Sequence, residues 1–207
     1  VSHIYSIDGV RPVVDPSAFV HPEAVLIGDV RIGANCYIGP FASLRGDMGT
    51  IEIRAGSNIQ DSCVVHCFPG RRTLVEEDGH IGHASVLHGC HIGRDALVGI
   101  NAVIMDEVVI GSQAFIAAHS FVASGTHVRP RWLAVGSPAK ERRALTDDEL
   151  AWKANGTGVY QALARRSLDT LQAVEPLTQI EEGRASLSVS SAPPRPLREY
   201  REGAQSS

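Results

Sequence analysis

The stretch Ile92-Gly93-Arg94-Asp95-Ala96-Leu97-Val98-Gly99-Ile100-Asn101-Ala102-Val103-Ile104-Met105-Asp106-Glu107-Val108-Val109-Ile110-Gly111-Ser112-Gln113-Ala114-Phe115-Ile116 carries an aliphatic residue at every sixth position. The beat runs from Ile92 through Val98, Ile104, Ile110 and Ile116 to Val122. Upstream, the same spacing links Ile32, Ile38 and Leu44, then Ile53, Ile59 and Val65, then Ile81 and Leu87, with a five-residue step to Ile92. Glycine often follows the aliphatic residue, as at Gly33, Gly39, Gly93, Gly99 and Gly111. Four positions on from the aliphatic lies a small residue: Cys36, Ala42, Ser57, Cys63, Ser85, Ala96, Ala102, Ala114 or Ser120. An amphipathic helix repeats at three and four residues and a half-buried strand at two, so neither fits a beat of six. Short strands joined at corners do fit, with the aliphatic pointing inward and the small residue filling the turn. Three hexads make one triangular coil, and coils stack at about 4.7–4.9 Å, the spacing of parallel strands.

Composition narrows the rest. The chain has 207 residues, 43% of them apolar but only 5% aromatic, so its core is built from small aliphatic side chains. Nineteen Lys and Arg against 23 acids give a formal charge of -4, which argues against a nucleic-acid backbone or an anionic membrane as the main partner. There is no apolar run of about 18 residues and no basic-then-apolar leader pattern. Four cysteines without a paired framework fit a reducing cytoplasm.

The repeat assigns residues 1–128 to the coil. It breaks briefly at Met48-Gly49-Thr50-Ile51 and at length from Phe68 to Gly79, a segment expected to leave the coil as a loop on the functional face. After Val128 the pattern stops, and 129–178 is expected to hold an exit segment and C-terminal helices. Thr146 with Glu149 forms a capping box that opens a helix near Asp147. Gly156-Thr157-Gly158 is expected to interrupt it before a second helix, Val159 to Val174, with Tyr160, Leu163, Leu168 and Leu171 as its apolar stripe. The Ser-, Pro- and Arg-rich tail, 179–207, has the composition of a disordered segment.

Counting hexads puts Leu44, Val65 and Leu87 on one face, so Arg45, His66 and His88 stack one rung apart on its outer side. His83, two positions after Ile81, stands at the preceding corner and does not reach the same point from its own chain. His66 and His88 from one subunit with His83 from the next make the economical metal site. Three neutral imidazoles at about 2.0–2.1 Å with water in a fourth place describe catalytic zinc, and closed symmetry then predicts a homotrimer with three such sites. His21, His119 and His127 read as solvated surface histidines, while His80 and His91 flank the cluster. Cys36 and Cys63 occupy core-filling positions.

Leu44-Arg45-Gly46-Asp47, Asn58-Ile59-Gln60-Asp61, His66, Gly82-His83 and His88-Gly89-Cys90 resemble the γ-class carbonic anhydrase-like hexapeptide-repeat family. Asp78-Gly79-His80-Ile81-Gly82-His83, Val135-Gly136-Ser137-Pro138-Ala139-Lys140 and Leu150-Ala151-Trp152-Lys153 are closest to its CaiE/PaaY branch. The resemblance, which runs to about Arg184, implies an all-β fold: a single-stranded left-handed parallel β-helix followed by C-terminal α-helices. It implies that His66, His83 and His88 bind Zn2+ (or Fe2+), that Gln60 orients the metal-bound water, and that Tyr160 belongs to the active site. Arg45 would pair with Asp47 or Asp61 across the subunit boundary. The proton-shuttling Glu of the γ class has no clear counterpart, since Cys67-Phe68-Pro69 follows His66. The reaction this resemblance implies is metal-dependent hydrolysis of acyl-CoA thioesters linked to phenylacetate catabolism, with Arg71 and Arg72 meeting CoA phosphates. The rivals are γ-class hydration of CO2 to bicarbonate, a metal-free hexapeptide acyltransferase with a histidine base, and a non-catalytic trimeric scaffold.

Overall fold

The computed structural model describes residues 3–187, and the expectation for the last part of the tail, 188–207, lies outside the described residues. The beat of six becomes a parallel β-solenoid of about 7 turns. One face carries Val64–His66, Val86–His88, Val103–Ile104 and Phe121–Val122. A second carries Arg72–Val75, His91–Ile92, Val109–Ile110 and His127–Val128. The long strands Val25–Ile32 and Ser43–Ile53 run through both. The third face runs from Phe19–Val20 through Tyr37–Ile38, Asn58–Ile59, His80–Ile81, Leu97–Val98 and Phe115–Ile116 to Trp132–Gly136.

The inward aliphatics Ile38, Leu44, Ile59, Val65, Ile81, Leu87, Ile92 and Val98 are fully buried in one column of hydrophobic core. Most corners turn through a residue with positive φ, three positions after the inward aliphatic, among them Asn35 (54°), Asp95 (56°) and Asn101 (56°). Asn and Asp tolerate that conformation, whereas Phe41 (59°) and Ala84 (57°) adopt it at a cost of roughly 1–2 kcal/mol each. The glycine after the aliphatic answers a different need. A Cβ on Gly99 would stand 2.4 Å from the Ala118 backbone nitrogen on the next rung, so the close approach of rungs excludes a side chain there.

The structure differs from the sequence expectations in three places. Only part of the Phe68–Gly79 break leaves the coil: Arg72–Val75 is a strand paired in parallel with Thr50–Ile53 and His91–Ile92, and Val75, six residues before Ile81, is fully buried. The coil also continues past Val128, because Trp132–Gly136 pairs in parallel with Phe115–Ile116 before turning into the antiparallel strand Ala139–Ala144. Finally, one helix, Asp147–Thr170, replaces the expected two. Each Gly in a helix costs about 1 kcal/mol, but between the two glycines Thr157 is buried, its hydroxyl 3.3 Å from His80 Nδ1. Docking on the coil outweighs the local weakness. Leu168 and Leu171, expected in the apolar stripe, are about half exposed.

The helix is fastened at both ends of its contact with the coil. The Thr146–Glu149 capping box forms, and Arg143 adds a two-pronged ion pair to Glu149 at 2.7 and 2.8 Å. Further along, Tyr160 and Leu163 pack beside Phe19, Tyr37 and Ala164. Between them Lys153, 1% exposed, donates to the Asp78 carbonyl and to Asp95 Oδ1, each at 2.5 Å. Beyond Thr170 the described residues form neither helix nor strand. No helix among the described residues is long and apolar enough to cross a membrane.

Replacing Lys153 with Ala leaves a carboxylate and a carbonyl without their donor. The expected loss is about 2–3 kcal/mol, below the range for fully buried pairs because Asp95 keeps some solvent contact. Lys153→Met, which restores the packed stem, is expected to recover only part of it. Urea unfolding midpoints for the two variants check this.

Candidate metal centre

Val65 and Leu87 pair inward, and the same register sets His66 directly opposite His88 on the outer side of the face. The ring centroids are 5.2 Å apart, and His66 Nδ1 faces His88 Nε2 across 3.2 Å. Each ring meets a carboxylate with its other nitrogen: Asp47 Oδ1 lies 3.1 Å from His66 Nε2, and Asp106 Oδ1 lies 2.7 Å from His88 Nδ1. A carboxylate only accepts, so these outer nitrogens carry the ring protons. In two neutral rings the facing nitrogens are then both lone pairs. Two lone pairs so placed repel unless a proton on one ring or a metal ion lies between them. Nitrogens bound at about 2.0–2.1 Å to one tetrahedral ion stand roughly 3.3 Å apart, so the 3.2 Å spacing fits that geometry.

Arg45 Nη1 donates to Asp47 Oδ2 at 2.7 Å within the same chain. Burial opposes ionisation of Asp47, but hydrogen bonds from Arg45 and His66 outweigh it and hold the carboxyl below its usual range. Phe68, on the loop that follows, sets its ring edge against His88 at 4.9 Å. Arg71 and Arg72, expected to meet CoA phosphates, are paired with Glu107 and Glu52.

His83 stands apart from this pair, at the corner between the third face and the first. Its Nδ1 lies 3.3 Å from Asp61 Oδ2, and its Nε2 faces the Tyr160 hydroxyl at 3.4 Å. The pattern repeats: a carboxylate fixes one nitrogen and leaves the other as an acceptor, the usual way proteins orient metal-binding imidazoles. Among the described residues, no three potential ligands gather within the single chain.

Gln60 and Tyr160 belong to the His83 group. Gln60 is 2% exposed; its amide nitrogen donates to Asn58 Oδ1 at 2.9 Å and lies 2.8 Å from His80 Nε2. Tyr160 packs between Tyr37 and His80, each 5.4 Å away. Burial, then the nearby Asp61 charge, pushes its phenol up to about 12, so it keeps its proton at neutral pH. Burial, then Lys153 and His83, pushes His80 down to about 3, so that ring is a neutral hydrogen-bonding partner. Beside this group lies a cavity of about 470 Å³ between the helix and the third face.

All four cysteines are buried and free. Burial drives Cys36 and Cys90 up to about 12 and Cys63 up to about 11, and raises Cys67, so these thiols stay protonated. Sequence reasoning missed Asp106. Its signal was available in the stacking: Asp106 sits two residues after inward Ile104, one rung from Gly89, whose hypothetical Cβ would lie 2.3 Å from Asp106 Oδ1.

The Bacterial transferase hexapeptide (six repeats) family matches residues 11–46 and 89–124. The carnitine operon protein CaiE of Salmonella agona (strain SL483) is 55% identical over 183 residues, 88% of this chain and 92% of that protein. CaiE of Escherichia coli (strain K12) is 54% identical over 88% of this chain and 93% of that protein. Among solved structures, a hexapeptide transferase family protein from Anaplasma phagocytophilum is 38% identical with a TM-score of 0.76, over 78% of this chain and 96% of that one.

If the paired carboxylates serve ion binding, Asp106→Ala lowers zinc affinity by about 10–100-fold with little effect on the coil. His66→Ala abolishes the site. Titration against a chromogenic chelator, with thermal unfolding in parallel, reads both outcomes. Unchanged affinity in both variants would remove these residues from any ion site.

Proposed function

The chain belongs to the γ-class carbonic anhydrase-like hexapeptide-repeat family, in its CaiE/PaaY branch, its coil being the family's left-handed parallel β-helix, and from that premise we propose that it is a metal-dependent hydrolase of acyl-CoA thioesters. The observation that carries the reading is the 3.2 Å apposition of His66 Nδ1 and His88 Nε2, each ring tied to a carboxylate on its far side. His83, oriented in the same way by Asp61, supplies the third nitrogen from a second copy. Closed symmetry makes the assembly a homotrimer with three equivalent sites. Imidazole suits zinc and ferrous iron alike.

An ion held there supplies a Lewis acid that lowers the pKa of water to about 7. The chain's own groups do the rest. Tyr160 Oη, which keeps its proton, donates to the thioester carbonyl oxygen as charge builds on it. The amide N–H groups of Gln60 are engaged with Asn58 and His80, which leaves Oε1 to accept from water and orient it. The cavity beside His83 is larger than CO2 requires, which favours an acyl substrate over carbonic anhydrase activity. A second reading, acyl transfer to an acceptor, draws support from the Anaplasma protein's description as a hexapeptide transferase family protein.

Thiol release from aliphatic and aromatic acyl-CoA esters, with and without chelator, tests the proposal. The expected result is release that stops on chelation, returns with zinc, and falls to background in His66→Ala and His83→Ala. Mixing these two variants is expected to recover some activity, since a mixed trimer rebuilds intact seams. Release indifferent to chelation, or none at all, would overturn the reading. Stopped-flow CO2 hydration and transfer to an amine acceptor in the same preparation identify the rivals.

A further inference from the structure

We propose that the cavity between the helix and the third face is the acyl site, that it takes a bulky uncharged apolar group, and that Trp152 is the residue that limits its length. The proposal rests on the hydrolase reading only for where the thioester carbonyl lies. Everything else comes from the shape and lining of the cavity.

The cavity, about 470 Å³, is polar at one end and apolar at the other. His83, Gln60 and Tyr160 form the polar end, where the carbonyl would sit. Leu97, Phe115, Leu133 and Trp152 form the apolar end, and Trp152 packs on the cluster that buries Phe115. The floor between them is made of small residues, Gly99 and Ala117, for a reason unrelated to substrate. They occupy the position after the inward aliphatic, where the rungs approach so closely that Gly99 admits no Cβ. Gly82, Gly99 and Ala117 thus leave a trough on the outer surface, closed along the column by Gln60 on one side and Val135 on the other, and the helix lays Trp152 and Tyr160 over it.

Three consequences follow for the ligand. Cavities of about 300–1,000 Å³ accommodate whole small-molecule ligands, so an acetyl group would leave most of this one unfilled. The lining contains no Asp, Glu, Lys or Arg, so a carboxylated acyl group would lose its hydration without gaining a partner. Trp152 lies eight residues, a little over two helical turns, before Tyr160 on the same helix, so it stands at the far end from the carbonyl. A chain that reaches it can extend no further.

The test uses acetyl-, hexanoyl-, decanoyl- and succinyl-CoA as substrates, and the thioether analogue of hexanoyl-CoA as a ligand that cannot be hydrolysed. In the parent protein kcat/KM for hexanoyl-CoA is expected to exceed those for acetyl- and succinyl-CoA by about tenfold or more. Trp152→Ala moves the preference toward decanoyl-CoA. Ala117→Leu fills the floor and lowers turnover of hexanoyl-CoA and affinity for its thioether by about tenfold, with a smaller loss for acetyl-CoA, so that the preference for the longer chain shrinks. Should Trp152→Ala fail to fold, Ala117→Leu carries the test alone. A flat profile, or one that both substitutions leave unmoved, overturns the acyl site while chelator-sensitive hydrolysis stands. Thioether binding that weakens in Ala117→Leu, without turnover of any thioester, keeps the acyl site and removes the hydrolase. Neither binding nor turnover removes both.

Discussion

The alignment of one rung on the next is the constraint from which the candidate site follows. Val65 and Leu87 point inward as registered partners, and His66 and His88 follow them outward as partners too. Strand side chains alternate between faces, so a slip of one residue would drive both imidazoles into the core and both aliphatics into solvent. Over much of the coil two further features oppose such a slip: most corners turn through a residue with positive φ, and at rungs such as those of Gly33, Gly39, Gly93 and Gly99 the neighbouring backbone passes too close for a side chain. The apposition of the two rings is therefore a by-product of how the core packs, and needs no separate device to hold it.

The helix imposes a second, independent constraint. Its sequence is weak for a helix at Gly156-Thr157-Gly158, and what keeps it continuous is contact with the third face: Lys153 bound to Asp95 and Asp78, Thr157 against His80, Tyr160 among Tyr37, His80 and His83. Burying an ammonium is costly unless its partners are well placed, and here they come from two successive corners of the coil. That ion pair fixes the helix along its length. Tyr160, two turns further on, inherits its position at His83 from it.

These two constraints differ in how far the sequence reveals them. The inward column is legible because burial is periodic, and so is the outward pair His66 and His88, which rides on it. Val75 was hidden because the residues inserted after Cys67 shift the count, although its distance from Ile81 still obeys the beat. The single helix was hidden because the contacts that rescue its glycines lie in residues far away in the chain. Gln60 carries a signal of its own beyond the family likeness. In the run Gly39, Gln60, Gly82, Gly99 and Ala117 it is the large residue among small ones, the column being closed at its two ends by His21 and Val135. Such local violations of a packing rule mark functional positions. Asp106 is harder to read, because its signal emerges only when the rungs are stacked and it falls beside Gly89 and the ring of His88.

Dividing the proposed ligands between two copies has an energetic consequence. In a single chain the facing nitrogens of His66 and His88 oppose each other, and His83 Nε2 is engaged only by a phenol. On the proposed division of ligands, an ion between His66 and His88 would relieve the opposed lone pairs, and His83 of a second copy would complete its coordination. Ion binding would then favour association, and association would raise ion affinity by the same factor, since coupling between two binding equilibria is reciprocal. With the register of the coil fixing His66 against His88, the two halves of the site would meet only where two copies do.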